Sequence, residues 1–209
     1  MSILLLAVLG FRVDALLGGA LAICALGDFL LGVRMLGSLD AEALFLLGLG
    51  SFLVGHLTYI AMFRKYRISS ISPAQPNPPF KQHRLEWSTW RTLGILVVLI
   101  ALGSVLGVLR NSLGPLLVPV VVYALVLCAM GISAMLADLG TPLAAVGALS
   151  FIASDAMLAI SKFRGPFPGH EPLIWITYYA AQLLILLGVE RHRQRACPPA
   201  NRHSGIEQK

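Results

Sequence analysis

The sequence predicts an all-α, polytopic transmembrane helix bundle, and three observations predict it. Of the 209 residues, 57% are hydrophobic and only 12% are charged, about half the charged share of a soluble domain. The apolar residues fall into blocks of roughly 20, the length that carries a helix across ~30 Å of hydrocarbon. The blocks lack the period-2 alternation of lipid-facing and lumen-facing residues that a membrane β-barrel requires.

Six blocks are of full length: Ala15–Leu36, Glu42–Phe63, Trp90–Leu109, Leu116–Ala137, Pro142–Lys162 and Leu173–Val189. Before them, Ile3–Phe11 is a short N-terminal apolar helix, too short to cross the hydrocarbon core. No positive charge precedes it and no cleavage site follows, which argues against a signal peptide. The one long connection, "RKYRISSISPAQPNPPFKQHRLEW", is rich in Pro, Ser and basic residues and reads as a solvated loop near 64–89. The expected organisation is a single transmembrane domain over 1–190 and a polar tail, 191–209, without fixed structure.

The net charge of +6 is a signal of topology. Twelve of the 16 Lys and Arg residues lie in the long loop and its flanks, in the tail, or at Arg12; Arg34, Arg110, Lys162 and Arg164 fall on the other side. The positive-inside rule puts the loop and tail in the cytoplasm, in the plasma membrane if the cell is bacterial. Membrane lipids are then the expected partners, with no role for nucleic acid. Cys24, Cys128 and Cys197 are scattered, with neither a disulfide framework nor metal-ligand spacing. Gly103-x-x-x-Gly107 suits close helix packing within or between subunits, so oligomeric state stays open.

Ionisable groups inside membrane spans are costly and face a bundle interior or a wet cavity. Asp28, in "ALGDFLLGV", and Asp155, in "SFIASDAMLAIS", are the carboxyls. His56 shares a stripe with Phe52, Tyr59 and Phe63, and Tyr178 and Gln182 form an i, i+4 pair. Asp155 shares a helix face with Gly147 and Phe151, and Lys162 lies roughly two turns further along. Counted from the span limits at 1.5 Å per residue, Asp28, Asp155, Tyr123 and Tyr178 lie roughly 4 Å to the exterior of the midplane, and His56 roughly 5 Å to its cytoplasmic side. Interhelical hydrogen bonding is the plainer role for each polar group; for Lys162 it is snorkelling to the interface.

Four segments in order, "LGDFLL" (26–31), "FLVGHLTYIAMF" (52–63), "GALSFIASDAMLAISKF" (147–163) and "YYAAQLLI" (178–185), resemble the YhhN family of membrane proteins, and "VPVVVYALVLCAM" (118–130) fits its pattern. The resemblance covers roughly Ala15 to Arg191. That family has about eight spans; against that pattern the sequence shows no first span and a cut-down second, so the expectation is either a true start upstream or a member that makes do with less. Characterised animal members are lysoplasmalogenases. The resemblance therefore implies hydrolysis of the vinyl ether bond of a lysoplasmalogen, a lysophospholipid, to a fatty aldehyde and glycerophosphoethanolamine or glycerophosphocholine, without metal or other cofactor.

Vinyl ether hydrolysis is acid chemistry. A proton adds to the distal alkene carbon, water attacks the resulting oxocarbenium ion, and the hemiacetal collapses. An apolar site disfavours an ionised carboxylate, and a second carboxyl nearby favours a shared proton; glycosidases flank a similar cation with two carboxyls. Asp28 and Asp155 are thus the expected catalytic pair, with the acid and base roles unassigned. His56, Tyr59, Tyr123, Tyr178, Gln182 and Lys162 are expected to position water, substrate or headgroup. The rival reading is a proton-coupled transporter or lipid-binding membrane protein without hydrolase activity, which would also place carboxyls and His in the membrane. An intramembrane aspartyl protease fits poorly, since "ALGD" has Ala25 where that class has Gly.

Overall fold

Asp14 starts the first helix. Its Oδ1 accepts the Leu16 N–H at 3.0 Å and its carbonyl accepts the Gly18 N–H at 2.9 Å, so it caps α1, Ala15–Val33. The computed structural model describes residues 14–33, 40–69 and 89–196. The remaining helices are α2 (Ala41–Ser69), α3 (Thr89–Leu109), α4 (Leu117–Leu136, after a 3-10 turn at Gly114–Leu116), α5 (Leu143–Phe163) and α6 (His170–Ala196). Six helices are long and apolar enough to cross a membrane, and no strand occurs among the described residues. The chain is an all-α, multi-pass membrane protein. Ile3–Phe11, residues 34–36 of the first expected span, residues 70–88 of the loop and residues 197–209 of the tail lie outside the described residues.

Two helices outrun their expected spans. α2 continues past Phe63 to Ser69, and α6 starts at His170 and continues past Val189 to Ala196, into stretches expected as loop and tail. Hydropathy marks where lipid ends, and a helix continues wherever its polar turns find partners. Lys65 Nζ donates to Asp14 Oδ2 at 2.7 Å and the Tyr66 hydroxyl donates to the same oxygen at 3.2 Å. The Tyr66 ring packs edge-on against His192 at 5.3 Å. Arg193 pairs with Glu190 at 2.8 Å, and Arg195 donates to the Gly140 carbonyl at 3.2 Å. One end of the bundle is therefore basic and internally tied.

Burial alone disfavours ionised Asp14. The hydrogen bond from Lys65, the Leu16 N–H, the Lys65 charge and the Tyr66 hydroxyl outweigh it and hold the carboxyl below its ordinary range. A carboxyl depressed on folding adds stability that is present above its unfolded value of 3.8 and lost as pH falls through its folded value. Asp14→Ala should cost about 1–2 kcal/mol at pH 7. In thermal melts of detergent-solubilised protein the gap from wild type should narrow below about pH 4. A gap constant over that range would assign the whole effect to capping.

Close approach builds the helix pairs. Without a hydrophobic drive between helices in lipid, association rests on small residues and interhelical hydrogen bonds. Between α5 and α6, a Cβ on Gly147 would stand 2.8 Å from the Ala181 carbonyl, and one on Gly188 would stand 2.9 Å from the Ala144 nitrogen. Ser150 Oγ donates to the Thr177 carbonyl at 2.8 Å and Ser154 Oγ to that of Ile174 at 3.0 Å. The connection reverses through Gly165 and Gly169, at φ +110° and +76°, a region that suits glycine. Between α1 and α2, Ser51 Oγ donates to the Ile23 carbonyl at 2.7 Å. α4 sits among α2, α3 and α5, and the core runs along the buried α2 stripe Phe52, His56, Tyr59 and Phe63. Gly147→Val should overpack α5 against α6 and cost about 1–3 kcal/mol. An unchanged melting temperature in detergent would contradict the close approach.

Candidate active site

Five helices bring polar side chains to the core, and these form two hydrogen-bonded chains. In the first, the Tyr123 hydroxyl on α4 donates to Asp155 Oδ2 on α5. His56 Nε2, on α2, lies 3.0 Å from Tyr123 Oη and 3.6 Å from Asp155 Oδ2. Tyrosine has one hydroxyl proton. With that proton directed at Asp155, the proton between His56 and Tyr123 belongs to Nε2. The chain thus runs His56 to Tyr123 to Asp155. His56 is fully buried, and its Nδ1 has no hydrogen-bond partner among the described residues.

The second chain ends on the other carboxyl. The Tyr59 hydroxyl (α2) donates to Gln182 Oε1. Gln182 Nε2 donates to Tyr178 Oη at 3.1 Å, and the Tyr178 hydroxyl donates to Asp28 Oδ2, on α1, at 2.9 Å. The i, i+4 pair of α6 is thus a direct hydrogen bond. Both chains run one way and finish on a carboxyl oxygen. Phe151 separates them, its ring edge-on to His56 at 4.7 Å and to Tyr178 at 5.3 Å.

The two carboxyls differ in what they face. Asp155 and Tyr123 line an apolar groove of about 80 Å³ whose walls include Phe45, Leu49, Phe52, Leu102, Leu127 and Phe163. Asp28, His56, Tyr59, Tyr178 and Gln182 are not among its described lining residues. At one end of the groove Phe45 meets Phe163 edge-on at 6.0 Å, and Lys162 Nζ lies 5.0 Å from the centre of the Phe45 ring. This arrangement can hold an alkyl chain against apolar walls, present a carboxyl to it, and back that carboxyl with a hydroxyl and an imidazole.

Seven of the eight residues nominated from sequence fall into the two chains, and Lys162 lies apart at the groove end. His56 and Asp155, expected at somewhat different depths, meet through their side chains: Nε2 sits 3.6 Å from Asp155 Oδ2. Sequence reasoning missed the groove walls from α3 and α4 because apolar lining residues resemble any other lipid-soluble helix face. It also missed Phe151 as the divider, although that residue was already visible on the Asp155 face.

The chain matches the YhhN family over residues 1–189. It is 34% identical over 177 residues to human lysoplasmalogenase TMEM86B, covering 84% of this chain and 64% of that protein. It is 34% identical over 174 residues to the lysoplasmalogenase of Mycobacterium tuberculosis (strain CDC 1551 / Oshkosh), covering 81% and 58%. A shorter stretch of 51 residues is 49% identical to lysoplasmalogenase TMEM86A of Bos taurus, covering 24% and 21%. The chain spans less than two thirds of the length of these relatives. No solved structure matches it. By the family match over most of its length, with motifs and membrane helices in agreement, the chain belongs to the YhhN family.

Proposed function

We propose that this protein hydrolyses the vinyl ether bond of a lysoplasmalogen, with Asp155 as proton donor. The observation that carries the assignment is that Asp155 is the carboxyl on the wall of the apolar groove, with its Oδ2 hydrogen-bonded by Tyr123 and backed by His56. The 34% identity to proteins named lysoplasmalogenases supports the reaction class.

Asp155, protonated on Oδ1, gives its proton to the distal alkene carbon. The alkene π pair forms the new C–H bond, and the other former alkene carbon becomes an oxocarbenium ion. Water adds to that carbon and loses a proton to a carboxylate, leaving a hemiacetal. The hemiacetal hydroxyl then gives its proton to a carboxylate and forms the C=O bond, while the bond to the glycerol oxygen breaks and that oxygen takes a proton from the protonated carboxyl, releasing fatty aldehyde and the glycerophospho-alcohol. One water is consumed and Asp155 is reprotonated. Tyr123 and His56 hold the carboxylate formed in the first step, and charge-assisted hydrogen bonds are the strong ones. Asp28, held by the Tyr178–Gln182–Tyr59 chain on the other side of Phe151, supplies a second negative charge that acts on the cation through its field rather than by contact.

Lys162 is seven residues beyond Asp155 on α5, roughly 10 Å along the axis. An extended glycerophosphate with its vinyl ether at Asp155 reaches that level, so Lys162 takes the phosphate while the alkyl chain lies on the apolar walls. Lys162→Ala should raise KM about five- to tenfold with kcat nearly unchanged, the pattern of lost uniform binding. A fall in kcat alone would remove Lys162 from headgroup binding. The basic ends of α2 and α6 support a cytoplasmic position for those ends.

The reaction itself is tested with purified protein in nanodiscs and a 1-alkenyl lysophospholipid, by measuring fatty aldehyde release, with the saturated 1-alkyl ether as control. Release from the alkenyl lipid alone is expected. No release, with proton-coupled uptake in vesicles instead, would replace the hydrolase with a transporter.

A further inference from the structure

A second polar site lies at the basic end of the bundle. A cavity of about 450 Å³ is formed where the start of α3 meets the turn between α4 and α5, lined by Trp90, Arg91, Asp138, Gly140, Thr141 and Pro142 among others. Two of its polar atoms, Arg91 Nη1 and Thr141 Oγ1, are buried without a hydrogen-bond partner among the described residues. Buried polar groups are almost always satisfied, so such pairs call for an explanation. Around them stand further groups of defined sign. The Pro142 N-cap of α5 makes no side-chain capping bond, and Pro142 and Ala145 of that helix start line the cavity. Asp138, on the same wall, is a carboxylate with no ion pair within 4 Å among the described residues. The Arg91 guanidinium lies 5.4 Å from the centre of the Trp90 ring, and Trp90 is partly exposed, as interfacial tryptophans are.

We infer that this cavity binds a zwitterionic phosphoethanolamine group. The guanidinium and the threonine hydroxyl are donors, and together they suit the phosphate oxygens. Asp138 would repel a simple anion, but it suits a primary ammonium a few atoms from the phosphate. The site is separate from the groove. α5 begins at Leu143, twelve residues before Asp155, roughly 18 Å along the helix axis. One lysophospholipid with its vinyl ether at Asp155 cannot also place its phosphate here, so the occupant is a second molecule. The same chemistry is offered by the headgroup of a bilayer phosphatidylethanolamine and by free glycerophosphoethanolamine, and the experiment separates the two.

The full chain is purified into nanodiscs of phosphatidylethanolamine and phosphatidylcholine in equal parts, and retained lipid is counted by native mass spectrometry. Wild type is expected to retain phosphatidylethanolamine preferentially. Arg91→Gln should reduce retention at least fivefold, and Thr141→Val by a smaller factor. Asp138→Asn should retain the two lipids equally, because the ammonium contact sets the preference. In a parallel arm, delipidated protein in detergent is titrated with glycerophosphoethanolamine. A rise in melting temperature that is lost in Arg91→Gln, without selective lipid retention, identifies the soluble molecule as the occupant; selective retention identifies the lipid. Arg91→Lys keeps the charge and serves as the folding control, judged by a monodisperse elution profile. Equal lipid retention by wild type, Arg91→Gln and Thr141→Val, together with no thermal response to glycerophosphoethanolamine, overturns the proposal.

Discussion

Asp155→Asn is expected to lower vinyl ether hydrolysis by about 10²–10⁴-fold, the range ascribed to a positioned general acid. The change keeps the side chain's shape, and Asn still accepts the hydrogen bond that Tyr123 now gives to Oδ2, so the fold should survive. What disappears is the transferable proton. The measurement is aldehyde release under single-turnover conditions, which separates the chemical step from lipid binding and product release. Tyr123→Phe provides the matched control. It leaves the acid in place but removes the hydroxyl between His56 Nε2 and Asp155 Oδ2, so its loss should be real but smaller. A full rate in Asp155→Asn would end the assignment of this carboxyl as donor, whatever the tyrosine variant did.

Asp28→Asn is expected to lower the same rate by about 10²–10³-fold, comparable with removing one preorganised charge-stabilising group from an active site. Two roles for Asp28 must be separated. It accepts the Tyr178 hydroxyl at 2.9 Å, so it could act as a structural acceptor joining α1 to α6. Tyr178→Phe breaks that bond and leaves the carboxylate. If Asp28 stabilises the cation, Asp28→Asn loses far more rate than Tyr178→Phe. If Asp28 only ties helices, Tyr178→Phe loses stability, Asp28→Asn, whose amide oxygen still accepts the hydroxyl, keeps it, and both keep their rate. That second outcome would leave a one-carboxyl mechanism centred on Asp155.

Much of the candidate site was legible because its chemistry is anomalous where it stands. A carboxyl amid Ala, Ile, Met and Leu is costly in lipid, so Asp28 and Asp155 stood out with no knowledge of their neighbours. Helical periodicity put Tyr178 beside Gln182 and His56 on a stripe with Tyr59; the first relation is a hydrogen bond in the structure and the second a shared buried face. Some legible signals carried less meaning at the sequence level than they do in three dimensions. Asp14 before an apolar run is an N-cap pattern, but its tie to Lys65, 51 residues away, is invisible there. Arg91 counted only as one more basic residue of a loop flank until Thr141 and Asp138 were found in the same cavity.

Hydropathy and periodicity are local properties of the chain, so they were enough to establish a membrane bundle, its six spans and the residues too polar to face lipid. Pairing between helices depends on tilt, on how closely glycines such as Gly147 let backbones approach, and on the reach of side chains across the gap. Those are properties of the packed molecule. Two carboxyls that look equivalent in sequence therefore diverge in the structure: Asp155 lies on the wall of an apolar groove, and Asp28 lies at the end of a hydrogen-bonded chain on the Tyr178 side of Phe151.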